Sequence, residues 1–276
     1  MRCDGVPYKV ESMMYLLAPY FMMRRSDACN AISVYIPYEP IKHYISEKRK
    51  EGFNTSAMVL VLSAYLRTLA HHPAMNRFVA NKRIYSRKGV WVGMVVQRAK
   101  DAQETMGKFQ FDLHDTIYDV NRKVTEFVET NRNEQANPLD AIMPKLLKLS
   151  WLMPPAMAIA RFADKHGLLP ASLIAASPFH CSMVMSNLAS IRTNHIHHHI
   201  YDFGTVGQTM TIGVNENRAV EKNGQIVLER MMPLGIVCDE RLADGQEYAR
   251  FFTEMKHYLA HPELMEVPPE TVITDF

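Results

Sequence analysis

The most informative part of the chain is residues 225–259, QIVLERMMPLGIVCDERLADGQEYARFFTEMKHYL, which join a strand, a polar turn and a helix. The run from Met231 to Val237 is almost wholly apolar, which is typical of a strand buried on both faces. Asp244 is a favourable helix N-cap and Glu247 follows at capping-box spacing, so a helix is predicted to begin there. A buried strand thus delivers polar side chains to a helix N-terminus, which is a common way to present catalytic groups.

The composition is that of a soluble globular protein with one large domain or two small ones. The 276 residues are 47% hydrophobic and 22% charged, with a formal net charge of +2. This small charge, and the lack of a Lys/Arg stripe with interleaved aromatic residues, argue against nucleic-acid binding. The N-terminus lacks the apolar core of a signal peptide, and no apolar run approaches the roughly 18 residues of a membrane span.

The four cysteines, Cys3, Cys29, Cys181 and Cys238, are scattered and show neither paired nor metal-ligand spacing. This pattern predicts a reduced, cytoplasmic protein. Cys238 ends the buried strand, but the negative charge of Asp239 beside it disfavours the thiolate, so we do not expect a cysteine nucleophile.

Hydrophobic periodicity along the rest of the chain predicts the α/β class. Residues 56–71 form the most apolar helix, which is expected at the centre of the fold. Lys88-Gly89 predicts a turn between two strands, and Asn223-Gly224 is a strong two-residue hairpin signal. The other predicted helices are 9–23 (broken near Pro19), 40–49 and the second half of 104–132. The predicted strands are 31–36, 83–86, 90–97, 180–191, and the hairpin pair 207–215 and 225–237.

The turn at Asp239-Glu240-Arg241-Leu242-Ala243-Asp244-Gly245 resembles a known catalytic signature. It is similar to the D-H-R-x-x-D-G sequence of the dihydrolipoamide acyltransferases of 2-oxoacid dehydrogenase complexes, and to the H-x-x-x-D-G sequence of chloramphenicol acetyltransferase. Ser186-Asn187-Leu188 is similar to the S-N-L-G segment of the same family, and the resemblance extends from residue 20 to residue 266. Glu240 stands in the place of the catalytic histidine, and Ala189 replaces the last glycine.

The resemblance implies an α/β fold with a mixed sheet flanked by helices, and a homotrimer with active sites between subunits. It implies acyl-coenzyme A as a substrate and a small thiol, hydroxyl or amine acceptor. No lipoyl domain or Pro/Ala-rich linker precedes the match, so residues 1–276 are expected to be a single catalytic-type domain without a lipoyl group. A tail, residues 267–276, extends past the match and leaves assembly beyond a trimer open.

The resemblance also assigns roles to individual residues. Ser186 would donate a hydrogen bond to the oxyanion, Asp244 would fix the turn, and Glu240 would occupy the position of the general base. A carboxylate is ordinarily a weaker base than an imidazole. Burial beside Asp239 would strengthen Glu240 as a base, whereas an ion pair with Arg241 would weaken it and make it structural.

Four histidines within five residues, His195 and His197-His198-His199, follow the Ser186 segment. If His198 reached the site, Glu240 could orient it as a carboxylate orients a triad histidine. Two of the histidines and Glu240 could instead hold a zinc ion. The interpretation we favour is a loop of partly solvated imidazoles at a subunit contact, with no metal.

Residues 138–176 form a segment that is longer than in the acyltransferases of the large complexes. Pro154-Pro155 is predicted to break a first helix, and a second helix is predicted to end at His166-Gly167, where glycine is a natural C-cap. We interpret the segment as a helical hairpin packed on the domain or on a neighbouring subunit. The alternatives are a lid over an acyl channel and a surface helix that touches a membrane.

Two functions follow from these features. The first is an acyltransferase in which Ser186 acts with Glu240 or a nearby histidine, the serine and the glutamate coming from different chains across an interface. The alternative is a catalytically degenerate homologue that acts as a trimeric binding or scaffold protein. Retention of Ser186 favours the first function, and replacement of the histidine by Glu240 favours the second.

Overall fold

Ten strands in two sheets and seven helices build residues 2–97, 104–132 and 150–275, which this computed structural model describes. The strands are β1 (Gly5–Pro7), β2 (Cys29–Pro37), β3 (Arg77–Ala80), β4 (Arg83–Arg87), β5 (Val90–Gln97), β6 (Glu104–Phe111), β7 (Met183–Asn187), β8 (Gln208–Ile212), β9 (Glu216–Lys222) and β10 (Gln225–Asp239). The helices are α1 (Met13–Phe21), α2 (Tyr38–Lys50), α3 (Ala57–Leu69), α4 (Ile117–Arg132), α5 (Met153–Lys165), α6 (Ala171–Ala176) and α7 (Gly245–Ala260).

The larger sheet has the strand order β2-β10-β8-β7-β5-β6, with β9 paired to β10. The β5–β7 and β7–β8 pairs are parallel and the remaining pairs are antiparallel. This arrangement confirms the predicted mixed sheet. A second, three-stranded sheet has the order β1-β4-β3.

Helix α3 forms the centre of the core, as its apolar sequence predicted. All residues from Val59 to Leu69 are buried, and α3 packs against α4, α7 and α2 on one face of the larger sheet. Ser56 caps the helix by accepting a hydrogen bond from the Val59 N–H. Because the helix is apolar on all sides, it can only be stable where protein surrounds it.

Strand β10 has two halves with different roles. Its second half lies between β2 and β8 and is buried, as the apolar run predicted. Its first half, from Gln225 to Met231, pairs with β9 through a turn in which Asn223 and Gly224 have φ values of 53° and 77°. The predicted turn is confirmed. The strand that pairs with β10 across this turn is β9, which the sequence patterns missed. The segment predicted as the partner, residues 207–215, contains β8 instead.

Lys88-Gly89 joins the two sheets and does not close a hairpin. β4 pairs with β1 and β3, whereas β5 pairs with β6 and β7. The predicted strands are present, but periodicity within each strand carries no information on which sheet it enters.

Helix α5 begins where a break was predicted. Pro154 and Pro155 lie in its first turn, where a missing backbone N–H costs nothing, so they start the helix. The helix ends at His166, next to Gly167, as predicted. Residues 133–149 lie outside the described residues, so the lid, hairpin and membrane interpretations of 138–176 remain untested. None of the described helices has the length and apolarity needed to cross a bilayer.

The C-terminal tail folds back onto its own chain. The Ile273 N–H donates to the Ala70 carbonyl, and Asp275 accepts two hydrogen bonds from Arg77 and one from Ser86. Burial alone would raise the pKa of Asp275, but these donors outweigh it and hold the pKa below its ordinary value.

The histidine-rich segment 194–200 crosses the sheet face opposite α3. The hydroxyl of Thr209 donates to the His198 carbonyl over 2.5 Å, and that of Thr211 donates to the Ile196 carbonyl over 2.6 Å. The segment lies so close to β10 that any Cβ atom at Gly235 would collide with the Ile196 carbonyl oxygen. Gly235 therefore sets the distance between the segment and the sheet.

We predict that Gly235→Ala lowers the free energy of unfolding by about 1–3 kcal/mol, because the segment must move off the sheet. Chemical denaturation followed by circular dichroism measures this. Gly245→Ala is the matched control, since a Cβ there has open space, and we expect little change. Equal stability of the two variants would contradict the close packing of the segment.

Candidate active site

Ser186 and Asn187 lie at the carboxyl end of β7, and both are half-buried. No hydrogen bond from the Ser186 hydroxyl is found among the described residues, so the group is available to a ligand. The side-chain oxygen of Asn187 is buried without a partner there as well. Asn187, Ala189 and Arg230 border a cavity of about 330 Å³. This end of β7 therefore combines the unpartnered Ser186 hydroxyl with an Asn187 amide oxygen that lies beside a cavity.

Glu240 directly follows β10 and is held in place by β2. Its N–H donates to the Ala28 carbonyl over 2.9 Å, and its carboxylate accepts a hydrogen bond from the Asn30 amide over 2.6 Å. The side chain is half-buried. No basic side chain of the described residues forms an ion pair with it. Glu240 is thus a positioned carboxylate without a partner cation.

Arg241 pairs with Asp239 and not with Glu240, which corrects one of the alternatives drawn from the sequence. Two guanidinium nitrogens of Arg241 reach the two carboxylate oxygens of Asp239 at 2.7 and 2.6 Å, and a third donates to the Met22 carbonyl. Both side chains are almost fully buried. Asp239 is therefore neutralised, and Arg241 is not available to weaken Glu240.

Asp244 is the N-cap of α7, as predicted, and accepts a 2.7 Å hydrogen bond from the Glu247 N–H. Among the described residues, the Glu247 side chain does not accept the reciprocal hydrogen bond of a capping box from the Asp244 N–H. The Glu247 carboxylate instead accepts from His72, whose other ring nitrogen contacts Glu254. These contacts give Asp244 the structural role that the sequence assigned to it.

Within one chain, Ser186 and Glu240 lie at opposite ends of the sheet. Ser186 is in register with Thr211 of β8, which is in register with Gly235 of β10. Glu240 lies five residues further along β10, which corresponds to about 16 Å along the strand and about 10 Å across two strand spacings. A single chain therefore does not bring the two predicted catalytic residues together.

His198 and Glu240 lie on opposite faces of the sheet. Asn30, which binds Glu240, is the cross-strand partner of Cys238 on the helix-covered face. His198 lies over Thr209, which is paired with Val237 on the other face. Nδ1 of its ring donates to the His199 carbonyl oxygen over 2.8 Å, within the same loop. Within one chain, Glu240 does not orient His198.

His195 and His197 both contact the hydroxyl of Ser33, at 3.2 and 3.1 Å. Burial lowers the pKa of His195, and the neighbouring His197 lowers it further. Among residues 2–97, 104–132 and 150–275, no group of three or more His, Cys, Asp or Glu side chains is placed to hold a metal ion. The zinc alternative therefore has no support in this part of the chain.

Cys238 is buried, and burial together with the charge of Asp239 raises the pKa of its thiol far above the ordinary range. A buried neutral thiol is a poor nucleophile. This agrees with the expectation that Cys238 plays no chemical part.

The sequence patterns missed a buried Ser–His–Asp arrangement. The Ser177 hydroxyl lies 2.8 Å from one ring nitrogen of His180, and the other ring nitrogen lies 3.1 Å from Asp164. Arg2 forms an ion pair with the same carboxylate. The His180 side chain has no exposed surface, so no substrate reaches it. The arrangement ties the N-terminus to α5 and is structural.

Comparisons with known proteins found a family model that matches part of the chain. The model of the 2-oxoacid dehydrogenase acyltransferase catalytic domain matches residues 185–267, which include Ser186, Glu240 and Asp244. The acetyltransferase component of the Rickettsia typhi pyruvate dehydrogenase complex is 36% identical over 56 residues, which are 20% of this chain and 14% of that protein. The sequence match thus spans only a small part of the length of this relative.

Two solved structures have the same fold over most of the chain. Azotobacter vinelandii dihydrolipoamide acetyltransferase superimposes with a TM-score of 0.62 at 14% identity, covering 95% of this chain and 94% of that one. A chloramphenicol acetyltransferase superimposes with a TM-score of 0.57 at 10% identity, covering 92% and 99%.

The chain therefore has the fold of the dihydrolipoamide and chloramphenicol acetyltransferase catalytic domains. Its residues 185–267 match the model of the 2-oxoacid dehydrogenase acyltransferase catalytic domain. The resemblance inferred from the turn and from the Ser186 segment is confirmed.

We predict that Asp239→Asn lowers the free energy of unfolding by about 3–5 kcal/mol, because it leaves the Arg241 charge buried without a partner. Urea denaturation of both proteins measures the change. Glu240→Gln is the matched control, since Glu240 has no partner cation and should lose much less. Similar stabilities for the two variants would show that the ion pair does not hold this turn.

Proposed function

We propose that the protein is an acyltransferase that moves an acyl group between coenzyme A and a small thiol, hydroxyl or amine acceptor. The observation that carries this proposal is the placement of Ser186 and Glu240, each at the position where the matching family has a reactive group. Among the described residues, the Ser186 hydroxyl has no hydrogen-bond partner and Glu240 has no partner cation. The local sequence match around both residues and the shared fold support it.

The opposite placement of the two residues leads us to propose a homotrimer. If the serine end of one sheet meets the glutamate end of its neighbour, each interface joins one Ser186 to one Glu240. The exposed hairpin formed by β9 and the first half of β10 supports such an assembly. Ile226 and Leu228 on one of its faces are 81% and 76% exposed, and an isolated two-stranded hairpin is only marginally stable.

In the proposed reaction, Glu240 of one protomer takes the proton of the acceptor as its sulfur, oxygen or nitrogen attacks the acyl carbonyl carbon. The carbonyl electron pair moves to oxygen, and the Ser186 hydroxyl of the neighbouring protomer donates a hydrogen bond to that oxyanion. The bond from carbon to the coenzyme A sulfur then breaks. The leaving thiolate takes the proton from Glu240, which returns the enzyme to its starting state.

The contacts of Glu240 fit the role of general base better than a purely structural role. Asn30 fixes one carboxylate oxygen and leaves the other for a substrate proton. Arg241, which could have neutralised the group, is held by Asp239. A carboxylate is a weaker base than an imidazole. The proposed reaction therefore favours acceptors whose proton the site itself makes easier to remove.

The second candidate function is a catalytically degenerate homologue, a trimeric binding or scaffold protein. The observation that favours it is Glu240 in the position of the family histidine. In that case the cavity beside Asn187 and the free Ser186 hydroxyl are remnants of an active site.

The four cysteines, Cys3, Cys29, Cys181 and Cys238, are all free thiols. This supports the proposal that the protein works in a reducing compartment, the cytoplasm.

We predict that Ser186→Ala lowers kcat for acyl transfer by about 10²–10³, because an oxyanion donor is lost. Glu240→Gln should lower it by about 10²–10⁴ through loss of the base. Thiol release from acyl-CoA with a panel of small acceptors measures both rates. Glu270→Gln, at an exposed position of the tail, is the matched control and should retain the parent rate.

Two outcomes would contradict this assignment. If Ser186→Ala and Glu240→Gln both match the parent rate, the residues are not the site. If the parent is inactive and Glu240→His creates transfer activity, the degenerate function is correct.

We predict that Ile226→Lys together with Leu228→Lys converts the trimer to monomers, because charges replace the apolar face of the hairpin. Sedimentation velocity measures the mass. Val227→Lys, on the other face of the same strand, is the matched control and should leave the trimer intact. A parent protein that sediments as a monomer would refute the shared site.

A further inference from the structure

A basic cleft lies apart from Ser186, which is not among the residues that line it. It has a volume of about 450 Å³ and is formed by the end of α1, the β3–β4 turn, α5 and the loop around Asp202. Two carboxylates, from Asp164 and Asp202, face six cationic side chains. The cations are Arg24, Arg25, Lys82, Arg161, Lys165 and Arg241.

The two carboxylates offset only part of the positive charge of the cleft. Asp164 forms an ion pair with Arg2 at 2.8 Å. Asp202 accepts hydrogen bonds from the backbone N–H groups of Arg25 and Ser26. Of the six cations, Arg241 has its own carboxylate partner in Asp239. The remaining positive charge of the cleft is therefore unbalanced.

Arg25 forms the floor of the cleft and is only 7% exposed. Its guanidinium donates to two neutral carbonyls, those of Asp202 and Val79. Burial lowers the pKa of Arg25, and the charges of Asp239, Asp164 and Asp202 nearby offset this only in part. No ion pair of Arg25 occurs among the described residues. A buried charge of this kind is costly unless an anion compensates it.

The outer cations come from three separate elements and point to the same space. Arg24 follows α1, Lys82 lies in the β3–β4 turn, and Arg161 and Lys165 lie on α5. In residues 2–97, 104–132 and 150–275, none of the four has a carboxylate within ion-pair distance. Asn81 and Lys82 form the two-residue β3–β4 turn, and both have the positive φ that such a turn requires, 47° and 61°. Glycine is more usual than lysine at such a position, so the turn holds the Lys82 cation at the cleft on a less favourable backbone.

We propose that the basic cleft binds a small phosphate-bearing anion, such as a diphosphate or an organic phosphate ester. Arginine and lysine side chains that converge from several elements match the several oxygens of a phosphate group. The cleft has the size of a small-molecule site. Pro19, Met23 and Phe203 form an apolar wall that suits the non-phosphate part of the ligand. The proposal does not depend on acyl transfer.

Two sources supply this chemistry, namely the phosphates of coenzyme A and a separate phosphate ester. Inorganic pyrophosphate is the probe common to both, because it carries only the shared group. Titration calorimetry of the full-length chain should show saturable binding of pyrophosphate that weakens as salt is added.

Arg161→Gln and Lys165→Gln test the cleft, since both side chains are exposed on α5 and their loss should not unfold the protein. We expect each to weaken pyrophosphate binding roughly tenfold. Lys256→Gln, at an exposed position of α7 outside the cleft, is the matched control and should bind as the parent does. No saturable binding by the parent, or unchanged affinity in both α5 variants, overturns the proposal.

Lys82→Gly separates binding from folding. The change removes a cation and relieves the positive φ, so we expect an unchanged or higher Tm together with weaker pyrophosphate binding. A fall in Tm with unchanged binding would show that Lys82 serves the turn alone and would count against the cleft.

Competition identifies the source. If coenzyme A displaces pyrophosphate and pantetheine does not, the ligand is the phosphate end of coenzyme A. If coenzyme A leaves pyrophosphate bound, the cleft takes a separate phosphate ester. Both results support the cleft, and neither depends on turnover, so failure of the acyltransfer proposal is distinguished from failure of this one.

Discussion

The buried ion pair between Asp239 and Arg241 is the interaction on which the rest of the structure depends. It joins the end of the central strand to the turn before α7, and through the Met22 carbonyl it also binds the end of α1. Two opposite charges within a dry core are tolerated only when both are fully paired, so the turn has one geometry. This ion pair also affects Glu240, which lies between the two residues. Because Arg241 pairs with Asp239, the Glu240 carboxylate contacts the Asn30 amide and has no partner cation among the described residues.

Local patterns predicted the elements around this turn well, because they report burial and termini directly. The apolar run of β10, the largely apolar α3, the Asp244 cap and the Asn223-Gly224 turn are all present. The pairing partner of each strand was harder to predict. Strand periodicity indicates which side chains are buried, but pairing depends on contacts far along the chain. This is why the sequence did not show that Lys88-Gly89 links two sheets. Strand β9 was missed because its residues are mostly polar and exposed and so show no apolar pattern.

In the candidate site, too, positions along the chain could be predicted from the sequence, whereas contacts between side chains could not. Ser186, Glu240 and Asp244 were found from short sequence similarities, since the family fixes their positions relative to β7, β10 and α7. The choice between Arg241–Glu240 and Arg241–Asp239 pairing could not be made from sequence, because all three residues are adjacent and only the direction of each side chain at the strand end decides it. His198 failed as a partner of Glu240 for a similar reason. Thr209 holds its segment on the far face of the sheet, and no pattern in the sequence reports which face a loop covers.

The placement of Ser186 and Glu240 at opposite ends of one sheet links the proposed chemistry to assembly. Under the proposed function, each chain would supply half of two sites, and activity would depend on protein concentration and on the surfaces that join the copies. The turn itself is fixed by the ion pair between Asp239 and Arg241, so the residue between them is not needed to hold it. An imidazole or a carboxylate at position 240 would therefore leave the fold intact, and the choice between them would set the proton affinity of the proposed site and the range of acceptors that it can activate.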